Sequence, residues 1–205
     1  MSFGSLIPRG MFTCIKMARL SRLSLESIVE DKVWFTYKAR IQAHLRLSWL
    51  DFHSQLLLVW YAFLSASLAI ATIRYPRVLG ADTDLMSAVL SIALLSVSMA
   101  VTNRDFRGRS IAMRQNYLEL QRLYDYLKQT GGSSPSDIDR YHALLSSVEN
   151  HKEIDDKLFR VLHARSLSTR KPTRVETLEA YANLAARVGI TLTFYLTPLV
   201  IWWAL

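Results

Sequence analysis

Polar and apolar residues separate along this chain into long blocks, and three of the apolar blocks carry no charge: residues 54–73, 85–102 and 188–205. Each is about 18 to 20 residues long. As a helix rising about 1.5 Å per residue, each just covers a hydrocarbon core about 30 Å thick. A soluble chain of 205 residues has too little interior to hide three such runs. The pattern predicts an all-α integral membrane protein: a two-span hairpin, a cytoplasmic helical bundle and a C-terminal third transmembrane helix.

Between the apolar blocks the spacing is helical. Over residues 25–52, Val29, Val33, Tyr37, Ile41 and Leu45 recur every fourth position, giving a helix with one apolar face that runs directly into the first span. Met113, Tyr117, Leu120, Tyr124 and Leu127 form a second stripe at alternating spacings of four and three, which calls for a partner helix. Residues 130–135, Thr-Gly-Gly-Ser-Ser-Pro, break it. Ser136 or Asp137 is expected to cap the next helix, whose apolar face is Ile138, Tyr141, Leu144 and Leu145 and which reaches about Asn150. Residues 155–166 predict a short helix around Leu158, Phe159 and Leu162. A basic loop over 167–172 follows, then a helix over 173–187 around Val175, Leu178, Tyr181 and Leu184 that continues as the last span. The resulting division is a basic arm (1–24), a cytoplasmic helix entering the membrane (25–53), the hairpin (54–102), a cytoplasmic helical domain (103–187) and the third span (188–205). Met11, Phe12, Ile15 and Leu20 give the arm some lipid-touching capacity, but Arg9, Lys16, Arg19 and Arg22 interrupt any secretory-signal core.

The net charge of +8 follows topology more closely than nucleic-acid binding, which is not expected. Residues 1–53 hold eight Lys/Arg against four Asp/Glu, and 103–187 hold fifteen against eleven, whereas the connection between the first two spans has only Arg74 and Arg77 as basic residues. The positive-inside rule places both flanks in the cytoplasm and the 74–84 connection outside. Arg187 then enters the third span from the cytoplasmic side, the C-terminus is external, and Trp202 and Trp203 suit the outer interface.

Catalytic chemistry finds no constellation. Cys14 is alone, which excludes a disulfide framework within one subunit, and no Cys/His cluster, metal site or Gly-rich phosphate loop is present. The protein is not expected to be an enzyme or to hold a resident cofactor. His151 and Asp155 stand four apart and suit a structural hydrogen bond. Ser87, Ser91 and Ser98 share one face of the second span, where small side chains allow close helix packing or line a narrow polar path. No charge sits at either span centre, so no selective filter follows. Arg165, Arg170, Lys171 and Arg174 form a basic rim suited to phosphate, with a regulatory cyclic nucleotide as the candidate ligand.

Several of these features occur together in one family. A helix with Tyr37, Arg40 and His44 leads into the hairpin, arginines from Arg104 to Arg109 follow it, and a helix carries Glu119 and Leu123. A later segment runs from Tyr141 through Glu149, Asn150 and His151 to Asp155. Over residues 25–187 the sequence resembles SLATT proteins, small prokaryotic transmembrane effectors associated with nucleotide-signalling, TIR, SLOG or reverse-transcriptase conflict systems. The resemblance implies a homo-oligomer in the bacterial inner membrane that forms a pore or disrupts the membrane on infection sensing, causing growth arrest or cell death. The implied partners are lipid and a sensor, nucleotide synthase or reverse transcriptase. A non-pore membrane adaptor or sensor, or a small ion channel or transporter, is the alternative. The third span departs from the simplest two-span pattern and leaves open which span lines a pore.

Overall fold

The computed structural model describes residues 9–78, 80–131 and 134–204, with side chains described between 29 and 200. The regular structure among them is entirely helical: α1 (Arg9–Arg74), α2 (Thr83–Arg104), α3 (Phe106–Thr130), α4 (Pro135–Ser146), α5 (Glu153–Leu162) and α6 (Arg174–Ala204). Side chains of the arm, Cys14, Trp202 and Trp203 lie outside the described residues.

α1 is 66 residues long because nothing within it stops a helix: after Gly10 it contains neither glycine nor proline until it ends before Tyr75-Pro76. Pro76 has no N–H and disfavours helix in the residue before it. The backbone reverses over 75–82 with Gly80 at φ +97°, a conformation open to glycine. α2 follows, so α1 and α2 form a helical hairpin. Both are long and apolar enough to cross a membrane, and no residue of either 18-residue apolar window is buried within the protein.

Between α2 and α3 there is no glycine or proline break. Asp105 provides one instead: it sits at φ +41° as the C-cap of α2, and its carboxylate accepts the Gly108 N–H at 3.0 Å as the start of α3. A Cβ at position 108 would clash with that carboxylate, so glycine there keeps the cap in place.

The protein folds as two compact units. The first combines the residues up to Ile41 with Met113–His151. Its core is Val33, Tyr37, Leu120, Leu123, Leu127 and Leu144, packed by Trp34, Tyr117, Tyr124 and Tyr141. The stripe on α3 therefore turns inward as its spacing predicts, and each fully buried leucine contributes about 1.5–3 kcal/mol. Burial of α1 is broader than one face, since Phe35, Ala39 and Arg40 are also buried, whereas Leu45 is exposed. α4 is capped earlier than expected, by Ser134 in place of Ser136 or Asp137: Pro135 takes the first helical position, and Ser134 and Asp137 form a capping box. It also stops at Ser146, short of Asn150, because its last carbonyls are taken by side chains of other helices.

The second unit contains Gln42–Ala112 and Lys152–Leu205. Here α5 packs on α6, joined by Arg160 to Glu176 (2.6 Å) and Lys157 to Glu179 (2.5 Å), and Phe159 of α5 is buried. α6 starts at a Thr173–Glu176 capping box. Of the apolar positions on the first half of α6, Val175, Leu178 and Tyr181 are exposed and Leu184 is partly buried, while Ala180 is buried. α6 tracks α1 in the same direction, with Trp49 beside Arg187, His53 beside Tyr195, and Tyr61 beside Phe194.

Candidate functional site

Two polar clusters stand out, one in each unit. In the first, Arg40 is fully buried without a carboxylate partner among the described residues. One terminal nitrogen donates to Asn116 Oδ1 and to the Leu144 carbonyl (3.2 Å), and the other donates to the Leu145 carbonyl (3.2 Å). Those carbonyls close α4, where a helix has unsatisfied acceptors and partial negative charge, so the guanidinium caps the C-terminal end of α4. Asn116 reinforces the arrangement by donating to the Leu144 carbonyl (2.7 Å) and to Ser147 Oγ (2.9 Å). Burial lowers the Arg40 pKa, an effect opposed by Tyr141. Tyr141 is tied to α1 by a 2.9 Å hydrogen bond between its hydroxyl and Thr36 Oγ1. Tyr37, one turn before Arg40, is pushed up to about 12 by burial and then by Tyr124 and Asp125. It stays neutral and serves the core.

In the second unit, Arg46 donates through Nε and a terminal nitrogen to both oxygens of Asp155, at 2.8 and 3.0 Å. Asp155 is 2 % exposed and also accepts the Lys152 N–H at 2.9 Å, so it caps α5 while holding the cation. α5 starts at Glu153, so His151 lies just before the helix that Asp155 caps. Arg187 adds a second cation beside the same carboxylate. Its guanidinium lies over the Trp49 ring at 4.8 Å, and its Nε is buried with no hydrogen-bond partner among the described residues. Burial and then the Arg46 charge lower the Arg187 pKa, while Asp155 opposes them. His44 contacts Ser110 Oγ and its carbonyl, each at 3.0 Å.

Deeper along α1, the Tyr61 hydroxyl donates to the Phe194 carbonyl at 2.8 Å. That carbonyl is the one freed by Pro198, which has no N–H to return to the residue four positions earlier. The carbonyl left free by the proline is thus satisfied from α1. Hydroxyls in these stretches bond back to their own helices: Ser91 to the Ser87 carbonyl, Ser96 to Ile92, Thr191 to Arg187 and Thr193 to Gly189.

The family-like residues divide between the units. Tyr37, Arg40 and Tyr141 meet in the first, with Glu149, Asn150 and His151 on the segment after α4, while His44 and Asp155 belong to the second. On α2, Ser87 and Ser98 turn partly inward and Ser91 is exposed. The rim residues Arg165, Arg170, Lys171 and Arg174 are all exposed, on the α5–α6 connection and the first residue of α6. Sequence reasoning missed Asn116, Ser147, Trp49 and Tyr61 as functional partners. For Tyr61 a signal existed, since Pro198 inside an apolar helix demands an outside donor.

Among the described residues no three of His, Cys, Asp and Glu gather to hold a metal. No curated protein and no solved structure matches the sequence. The family model for the SMODS and SLOG-associating 2TM effector domain family 5 matches residues 24–204, which include the α1–α2 hairpin and both polar clusters. The chain belongs to this SLATT family of two-transmembrane effector domains.

Proposed function

We propose that the protein is an antiviral defence effector that oligomerises in the bacterial inner membrane and permeabilises it on infection sensing, ending in growth arrest or cell death. The carrying observation is the apolar surface of the second unit: Val59, Phe63, Ile70, Ile92, Leu95 and Met99 are all more than half exposed. Lipid or other copies of the protein must cover a surface of this kind. Back-bonded hydroxyls and a proline carbonyl answered by Tyr61 suit that setting.

The third span belongs to this reading. α6 runs parallel to α1, so if α1 leaves the cytoplasm at residue 54, α6 does so at residue 188, and the C-terminus shares the outer side with the 75–82 turn. The N-terminal helix and residues 103–187 are then cytoplasmic. Regulation is assigned to a linked sensor, nucleotide synthase or reverse transcriptase, with a cyclic nucleotide at Arg165, Arg170, Lys171 and Arg174 as the candidate direct signal. The protein itself carries out no turnover and uses no cofactor.

Inducible expression with the genomic neighbours, under phage infection, tests the proposal through membrane potential and dye entry. Loss of potential with dye uptake is expected. An unchanged membrane in infected cells, with the protein inserted and the system activated, contradicts it. One observation favours a non-pore adaptor: the exposed face of Val175, Leu178 and Tyr181 is a ready surface for a partner helix. In that case a partner co-purifies at fixed stoichiometry, the reconstituted complex does not conduct, and Leu178→Glu abolishes capture.

A further inference from the structure

We infer that the second unit binds one anionic phospholipid, with its phosphate on Arg187 and an acyl tail in the groove between α1, α2 and α6. The inference rests on the membrane placement proposed above, and two separate features of the unit point to it.

The first is charge. Arg46 and Arg187 lie beside a single carboxylate, and Arg46 engages both oxygens of Asp155 in a bidentate pair. Arg187 is left with a ring contact to Trp49 and a buried Nε that has no hydrogen-bond partner among the described residues. An anion is the missing partner. It does not enter from the protein side: the cavity there, lined by Arg46, Asp155, Ala180 and Asn183 among others, holds about 10 Å³, no more than one water. A nucleotide has no room in that space. The remaining approach is from the headgroup layer, where a long interfacial arginine places its charge and where anionic lipids attract it.

The second is shape. A cavity of about 370 Å³ lies between the three helices, lined by Leu57, Leu58, Leu94, Val97, Val101 and Phe194 among others. Its two hydroxyl-bearing residues are already satisfied, Ser54 on the Asp51 carbonyl and Tyr61 on the Phe194 carbonyl. Nothing in the groove selects a polar ligand, and its volume is that of a small-ligand site. Depth joins the features. From Trp49 to Ser54, the first groove residue on α1, the helix rises about 7 Å, close to the roughly 5–7 Å of headgroup region on each side of a bilayer core. A phosphate on Arg187 therefore leaves its glycerol esters at the groove mouth.

Native mass spectrometry of the full-length protein, extracted in mild detergent and exchanged against phosphatidylglycerol, phosphatidylcholine or inorganic phosphate, tests this directly. One phosphatidylglycerol per protomer is expected to remain bound, with phosphatidylcholine retained at least ten-fold less. Arg187→Gln should lower phosphatidylglycerol retention about ten-fold and Arg187→Lys much less. Ala93→Phe, which fills the groove and leaves the cations intact, should also lower it. Equal retention of the two lipids, wild-type retention in Arg187→Gln, or no bound lipid at all would overturn the site. Binding of inorganic phosphate as tightly as the lipid would make the ligand a free anion and overturn it as well. Carbonate extraction of the same membranes separates the two readings: a wild-type protein washed off defeats the membrane placement, whereas an inserted protein without lipid defeats the lipid site alone.

Discussion

Arg40 and Arg46 stand six positions apart on α1, both largely removed from water, and their charges are met in opposite ways. In the first unit Arg40 has only neutral acceptors, two carbonyls at the end of α4 and the amide of Asn116. In the second, Arg46 has a fully charged, bidentate carboxylate. A cation held by helix-end dipoles fixes where a helix ends and which neighbour it ends against, with favourable interaction of up to about 2 kcal/mol in partly buried geometries. A cation held by a buried carboxylate creates a stricter dependence, because removing either partner leaves an unpaired charge out of water. The first unit is thus organised by local caps around an aromatic and leucine core. The second is organised by charge pairs at the base of long apolar helices.

The largest effect expected from breaking this contrast is at Asp155. Asp155→Asn leaves Arg46 and Arg187 without their carboxylate and should cost about 3–5 kcal/mol. Hydrogen exchange should rise in α5 and the first half of α6 and stay at the wild-type rate in α4. Equal loosening of both units would erase the distinction. Arg40→Met keeps the stem packed but removes the donor to the Leu145 carbonyl and to Asn116 Oδ1, at about 1–3 kcal/mol, and exchange should rise in α3 and α4 only. A smaller effect sharpens the reading of α6. Tyr61→Phe should cost about 0.6 kcal/mol, a typical value for such a bond in a membrane, when Pro198 is present and nearly nothing beside Pro198→Ala, where the Phe194 carbonyl regains its own N–H. Additive effects in that thermal-stability cycle would separate the tyrosine from the proline.

The smallest is a pH effect. Hydrogen bonds from Arg160 and from the Thr173 backbone hold Glu176 at about 2, below its ordinary 4.5. A depressed acid stabilises the fold in full above its ordinary value and loses that contribution as the pH falls toward 2. Protection of the α6 start should therefore weaken below about pH 4.5, and Glu176→Gln should remove the dependence.

Composition and periodicity made the long elements legible. Apolar length marks α1 and α2 as the helices able to cross a membrane, the spacing from Met113 to Leu127 marks the buried face of α3, and the stop before Pro76 follows from backbone chemistry. Long-range pairing was not legible, since Arg46 and Asp155 are separated by 109 positions and nothing local to either names the other. The environment of the α6 stripe was not legible for a related reason: periodicity shows that Val175, Leu178 and Tyr181 share a side, but not that this side is left uncovered. Asp105 gave no break signal because an aspartate at positive φ is set by its cap to Gly108. The motif from Tyr37 to Asp155 was visible as a set of residues, but its division between two polar clusters emerged only from the fold.

If the second unit is the membrane-embedded one and α6 crosses beside α1 in the same direction, the C-terminus lies on the outer side. Paired alkaline phosphatase and green fluorescent protein fusions after Leu205, with controls after Arg109 and near Leu79, measure this most directly. Phosphatase activity without fluorescence is expected at Leu205 and at Leu79, and fluorescence without phosphatase activity at Arg109. Fluorescence without phosphatase activity at Leu205, with both controls as predicted, would contradict this orientation.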